Sequence, residues 1–278
     1  MKEINCLNLC DIWGQATKDK KKIIELIGHR GVERVYIGSY FCGNYFINLN
    51  ENDINLFFSQ IQKEIKLTLV IPIFNQSNLY IGKERIKKIT TILNFFIDEI
   101  CVNDYGMLQY SSDHLDMVGR ISLGRLFMKE YRDPRYHSYF NRMIQPKIFT
   151  SYFSKLCKQY NIIGAEIDPT HEGIDLSEAP EGIEISIHTP FCYITVGQIC
   201  EISSLQKDIE KKFRPNDKCN YECSKYNVQY FSEENLHFIK FGRAVYFENH
   251  ITKIKGTELI RIIYFPLTDL GLFTERIM

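Results

Sequence analysis

Short β-type runs alternate with helix-length amphipathic stretches along most of this chain, and that alternation limits its fold more than any other feature. The runs are 3–10 (EINCLNLC), 34–38 (RVYIG), 67–73 (LTLVIPI), 98–103 (DEICVN), 116–122 (DMVGRIS), 164–168 (GAEID) and 184–194 (EISIHTPFCYI). They are rich in Ile, Val and Tyr, and several are nearly continuous apolar stretches, as in strands covered on both faces. Between them, Ile54, Phe57, Phe58, Ile61 and Ile65 form one stripe over 51–65, with Asn50 placed as N-cap. Ile86, Ile89, Leu93 and Phe96 do the same over 83–96, and Phe153, Leu156, Cys157 and Tyr160 over 151–160. Such alternation predicts an α/β fold with a parallel sheet. Seven strands within about 195 residues favour a (β/α) TIM-like barrel, complete or short of a strand, over an open sheet. Neither G-x-G-x-x-G nor a Walker A sequence occurs, so the usual nucleotide-binding reasons for an open sheet are missing. The barrel domain is expected over 1–225. Residues 226–278, with KFGRAVYFENHITKIKGTELIRIIYFPL, read as a β-rich segment that closes the barrel or forms a partner surface.

A barrel places functional groups at the C-terminal ends of its strands. Cys42 follows strand 34–38, Asn103 and Asp104 follow 98–103, and Arg125 follows 116–122. Glu166 and Asp168 close 164–168, while His188, Cys192 and Cys200 lie on or after the last long strand. These residues would share one rim. Beyond them lies a late cysteine cluster, Cys200, Cys219 and Cys223, with 18 residues between the first pair and three between the second. Thiolates gathered on polar loops suit a soft metal or an iron–sulfur cluster. Three cysteines leave a tetrahedral site one ligand short, and Cys42 is the best candidate for the fourth. Zinc suits four thiolates equally well.

Composition narrows the function classes. The chain has 278 residues, 45% of them hydrophobic, and 34 basic side chains balance 34 acidic ones. That balance lacks the basic footprint of strong, sequence-independent nucleic-acid binding. Nine cysteines with no export signal read as reduced thiols rather than a disulfide framework. The opening MKEINCLNLC has polar and acidic residues where a signal peptide would have its apolar run. The stretch LTLVIPIF at 67–74 is too short to span a membrane. A soluble, cytoplasmic protein is expected.

VYIGSYFCG, VNDYGML, LGRLFMKEYRDPR, GAEIDP and the segment from HTPFCYITVGQIC to CNYECSKY resemble, in that order, the family labelled peptidase U32. Among its branches the chain is most similar to the small cluster-carrying subunit of the oxygen-independent ubiquinone hydroxylation pair. The resemblance covers roughly residues 30–225. It implies a [4Fe–4S] cluster on Cys42, Cys200, Cys219 and Cys223. It also implies oxygen-independent, anaerobic hydroxylation of a quinone precursor or an RNA base, with a second U32-family protein as heterodimer partner and an anionic oxygen donor such as prephenate. Cys192 falls where sister branches place their first late cysteine and is the runner-up ligand. Those branches use a further cysteine after the C-x3-C pair, and none occurs here beyond Cys223.

Arginine's planar fork suits bidentate capture of a carboxylate, so Arg125 and Arg135, oriented by Asp133, are candidates to hold an acidic substrate or donor. Asn103, Glu166 and Asp168 join them as substrate contacts, and Asp104 and His188 as catalytic groups. Each has a plainer reading. Arg125, Asp133 and Arg135 could be an ion-pair network, His188 a satisfied core histidine, Asp104 a turn cap. Cys6, Cys10, Cys101 and Cys157 read as small core hydrophobes, and Lys18 to Lys22 as a solvated helix start. A non-catalytic cluster-bearing subunit and a peptidase are the alternative functions. Against the peptidase, the chain has no H-E-x-x-H and no G-x-S-x-G, and HEGID at 171–175 lacks the second histidine of a zincin.

Overall fold

Eight parallel strands close on themselves. They are β1 (Lys2–Asn8), β2 (Arg34–Gly38), β3 (Lys66–Ile71), β4 (Ile97–Val102), β5 (Ile121–Leu123), β6 (Ile162–Ile167), β8 (Glu184–Thr189) and β14 (Leu259–Tyr264), in the ring order β1-β14-β8-β6-β5-β4-β3-β2. This computed structural model describes residues 2–61, 64–115, 119–128, 133–136, 143–215, 217–233, 236–250, 253–256 and 259–272. The strand predicted over 116–122 is seen at 121–123, and 116–118 lie outside the described residues. The run predicted as one strand over 184–194 is two. Pro190, which has no N–H to give a ladder, ends β8, and Phe191–Val196 (β9) leaves the barrel for a second sheet. That sheet is antiparallel, in the order β10 (Val228–Phe231), β11 (His237–Phe241), β12 (Ala244–Glu248), β9. A short parallel pair joins β7 (Ile174–Asp175) to β13 (Ile254–Lys255). The ring is complete because β14 pairs β1 on one side and β8 on the other, so the barrel draws on the chain well past residue 225.

Helices lie between several of the strands. They include α1 (Trp13–Ala16), α2 (Lys20–His29), α3 (Gly43–Ile47), α4 (Glu51–Gln60), α5 (Leu79–Ile92), α6 (Tyr105–His114), α7 (Ser151–Tyr160) and α8 (Glu201–Ser204). Local chemistry starts them: Asn50 accepts the Asp53 N–H at 3.2 Å and Thr150 the Phe153 N–H at 3.2 Å. Their apolar stripes, Ile54 and Phe57 or Ile86 and Ile89, pack with strand residues Val35, Ile37, Leu67 and Leu69 in one buried core. Cys6, Cys10, Cys101 and Cys157 are all buried. No helix among the described residues is long and apolar enough to cross a membrane.

The interior of the barrel is polar, an outcome of strict alternation along strands such as Arg34-Val-Tyr36-Ile and Glu184-Ile-Ser186-Ile-His188. Glu99, fully buried on β4, accepts from Arg261 of the opposite strand β14 at 2.7 Å and from Ser122 at 2.7 Å. Arg34 donates to Thr68 at 2.8 Å, and Arg261 reaches Tyr36 at 3.4 Å and Glu184. A buried carboxylate is tolerable only when ringed by donors in this way. Gly38 ends β2 with φ +133°, and a side chain there would meet the Val70 carbonyl oxygen at 2.1 Å, so only glycine lets these two strands approach.

Candidate functional site

The loop after β2 is built by Asp11, which follows β1. Its carboxylate accepts from the Ser39 hydroxyl and, at 3.2 Å, from the Tyr40 N–H. Ser39 Oγ in turn accepts the Cys42 N–H at 2.8 Å and the Phe41 N–H at 3.3 Å. This hydroxyl-centred turn sets Cys42 immediately before α3. On the far side, Cys200 precedes α8, and Ser203 and Ser204 bond back to its carbonyl at 2.9 and 3.2 Å. The polar loop that follows is tied to the barrel rim. Asn44 donates to the Asp217 carbonyl at 3.1 Å, Tyr221 to the Asn44 carbonyl at 3.2 Å, and Gln15 to the Cys223 carbonyl at 3.3 Å. Lys207 closes the loop on itself through Asp217 at 2.9 Å and the Lys218 carbonyl at 2.7 Å.

These ties bring Cys42, Cys200, Cys219 and Cys223 to the wall of one cavity of about 690 Å³, counting its open mouth. Asp11, Asn44, Tyr45, Arg243 and Tyr246 share that wall. All four cysteine residues are partly exposed, unlike the five other cysteines. Burial pushes the Cys42 thiol up to about 12, with the Asp11 carboxylate adding to the effect. Burial, and then the neighbouring thiols, raises Cys223 as well, and Cys219 moves the same way. Burial also lifts Asp11 to about 6, against the pull of its bonds to Ser39 and Tyr40. A bound cation reverses this balance by favouring thiolate. Among the described residues no three His, Cys, Asp or Glu side chains are grouped for a single metal ion, and the four thiols line a wider space. Cys192 lies elsewhere. It is fully buried in β9 against Phe238 and Phe247, with the Asn249 amide 3.7 Å from its sulfur.

The two arginines part company. Arg125 has no exposed surface, and its fork grips Asp168, with Nε 2.9 Å from one carboxylate oxygen and Nη2 on the other. It also donates to the Phe191 carbonyl at 3.1 Å, and Asp168 accepts the Tyr193 N–H at 2.9 Å. Tyr40, Phe41, Tyr193 and Tyr246 surround the guanidinium with ring centroids 5.3, 5.7, 5.3 and 5.5 Å from it. Phe41 and Tyr246 also line the thiol cavity, so a layer of rings separates Arg125 from it. Burial works against the charge of Arg125, but the Asp168 carboxylate outweighs it and keeps the guanidinium protonated. Arg135 is 51% exposed, paired with Asp133 at 2.9 and 3.1 Å and lying 5.4 Å over the Phe238 ring. In this structure the Arg125 fork is taken by Asp168, which follows β6, and Arg135 is paired with Asp133. Residues 129–132 of the same motif lie outside the described residues.

The remaining sequence candidates have partners within the fold. Asn103 donates to the Ile71 carbonyl at 3.0 Å and lies against Gly124, where a Cβ would meet its side-chain oxygen at 2.5 Å. That contact explains the glycine of the Gly124-Arg125 pair. Asp104 caps α6 by accepting the Met107 N–H at 2.9 Å, and burial shifts its carboxyl upward. Glu166 and His188 form a buried pair inside the barrel at 2.9 Å, with Tyr40 and Cys101 beside the carboxyl, and burial raises Glu166 to about 8. Asp11 and Arg243 were missed in the sequence. Asp11 had a legible signal, an acidic residue directly after a strand end; Arg243 sits in a hairpin turn between β11 and β12 and had none.

Comparison with family models, with curated proteins and with solved structures finds no match to this chain. The peptidase U32 likeness thus rests on the quoted sequence motifs.

Proposed function

We propose that this chain is an iron–sulfur protein of the peptidase U32 kind, with a TIM-like barrel, that takes part in oxygen-independent hydroxylation of a quinone-precursor-like molecule or an RNA base. The observation that supports it is the meeting of Cys42, from a strand end, with Cys200, Cys219 and Cys223, from a distant loop, around one cavity. The donor set fits a [4Fe–4S] group, which takes four cysteine thiolates, one on each iron rather than all on one centre. When bound, such a group supplies one-electron chemistry at the mouth of the barrel. The protein's own residues supply the rest of the site. Asp11 and Ser39 fix the Cys42 backbone, Asn44 and Gln15 fasten the late loop, and Phe41 and Tyr246 give the cavity an apolar floor. A cytoplasmic heterodimer with a second member of the family belongs to the same reading. So does an anionic oxygen donor such as prephenate.

Protein purified without oxygen should be brown and carry about four irons and four sulfides per chain. Cys42→Ala, Cys200→Ala, Cys219→Ala and Cys223→Ala should each remove the colour, and Cys192→Ala and Cys157→Ala should leave it. Stoichiometric zinc without acid-labile sulfide would sink the proposal.

A further inference from the structure

Three tyrosines line the thiol cavity, and the fold uses the hydroxyls of two. Tyr45 Oη accepts the Gly14 N–H at 3.2 Å, and Tyr221 donates to the Asn44 carbonyl at 3.2 Å. The Tyr246 hydroxyl has no such bond among the described residues; Arg125, Asp11 and Asp168 act on it through charge alone. Its ring is nonetheless fixed. Phe41 and Phe265 pack on it with centroids 6.1 and 5.9 Å away, and the Arg125 guanidinium lies 5.5 Å from its centre. The pairing of β12 with β9 also slips at this residue. Val245 faces Thr195 but Tyr246 faces Tyr193, so Ile194 is left over as a β-bulge. Bulges re-aim side chains beside functional sites. Tyr246 is only 2% exposed, and an O–H set so deep without a partner is a loss to the fold that phenylalanine would avoid. Burial holds its pKa well above the ordinary phenol range, so it is an O–H donor at neutral pH.

We infer that the Tyr246 hydroxyl binds the molecule to be hydroxylated, donating a hydrogen bond to a carbonyl oxygen on a neutral, ring-bearing substrate. Neutrality follows from the charges of the wall. Its three carboxylates, Asp11, Asp217 and Glu222, outnumber its two guanidiniums, Arg214 and Arg243. Both guanidiniums are engaged within the protein. Arg214 donates to the Glu210 carbonyl at 2.9 Å and Arg243 to the Gly197 carbonyl at 2.8 Å, and the Asp11 and Glu201 carboxylates also act on Arg243. An anion would meet net negative charge there. A carbonyl oxygen accepts without carrying charge, which suits a lone phenol donor. The ring follows from Phe41 and Phe241, which stand in the same wall and favour an aromatic face. The inference rests on the reading of the thiol cavity as the reacting site, and it concerns the substrate rather than the oxygen donor.

The test uses acetophenone and α-methylstyrene, which has the same shape with a methylene in place of the carbonyl oxygen. Binding is measured by calorimetry on anaerobically purified full-length protein and on Tyr246→Phe. The substitution should weaken acetophenone roughly tenfold, the range of one buried hydrogen bond, and leave α-methylstyrene within roughly twofold. Tyr246→Phe should also melt no lower than the parent, because the lost hydroxyl holds nothing in the fold. The infrared carbonyl band of isotope-labelled acetophenone on the parent should lie below its position in hexane, and that band decides the matter should Tyr246→Phe misfold. Failure of the parent to bind acetophenone, equal affinity in parent and variant, a band unmoved from hexane, or a lower melting temperature in the folded variant overturns the inference. Iron and sulfide are assayed on the same samples. Intact cluster without hydroxyl-dependent binding removes this inference alone, and hydroxyl-dependent binding without iron removes the cluster reading alone.

Discussion

Arg125 and Arg135 belong to one short motif and carry the same charge, yet their surroundings predict opposite consequences of substitution. Arg125→Ala would leave the buried Asp168 carboxylate without its guanidinium, a loss of about 3–5 kcal/mol. Arg125→Lys keeps the charge but not the fork and should recover only part of it. Arg135→Ala breaks a half-exposed, solvent-screened pair and should change stability by no more than about 0–1 kcal/mol. Urea unfolding of the three variants measures this directly, and equal effects at both positions would refute the buried-pair account. Glu166 supplies a pH prediction. Burial raises its folded-state value from an ordinary 4.5 to about 8, so the folded protein holds a proton that the unfolded chain gives up. The stability from that proton is complete below pH 4.5 and is lost as pH rises through about 8. Glu166→Gln, permanently neutral, should flatten the fall in melting temperature across that window. A parent and variant with parallel pH curves would show that Glu166 is ionised in the fold.

At the scale of elements, the loop between Cys200 and Cys223 is the part most dependent on what the thiols bind. Hydrogen bonds from Asn44 and Gln15 tie it to the rim, Lys207 closes it on itself, and it leaves Ile209 87% and Phe213 56% exposed. Three of the four thiols that line the cavity sit at or between its ends, so a bound group would clamp it at several points. Removal of iron with a chelator should therefore speed chymotrypsin cleavage after Phe213, while the barrel remains uncut. Mass spectrometry of timed digests gives the rates. Identical rates with and without iron would mean that the thiols hold nothing that orders the loop. The contrast with β6 and β8 is physical: those strands exchange backbone hydrogen bonds with neighbours on both sides and bury the Glu166–His188 pair between them.

The whole molecule depends on a strand that comes last. Ending the chain at residue 256 would remove β14, expose the unpaired edges of β1 and β8, and strip Glu99 of Arg261. Open parallel edges of this kind aggregate, so the truncated chain should be recovered insoluble, or without cooperative unfolding by circular dichroism. A soluble, cooperatively melting product would show that the barrel does not need its closing strand. The sequence by itself determined five strand positions to within two residues, the helix stripes beside them and the separation of buried from loop cysteines, because period-2 and period-3.6 burial patterns are local and lie in the order of residues. It also carried the alternation that makes the barrel interior polar. Tertiary structure alone decided which charges meet. Arg125 could face solvent or Asp168 until β5 and β6 became neighbours, and Asp11 became the support of Cys42 only once β1 lay beside β2. Arg243 likewise reached the barrel mouth only because the sheet of β9 to β12 folds over it. Such pairings join residues tens to hundreds of positions apart, and no local period records them: chain closure and burial select the partner from many of equal charge.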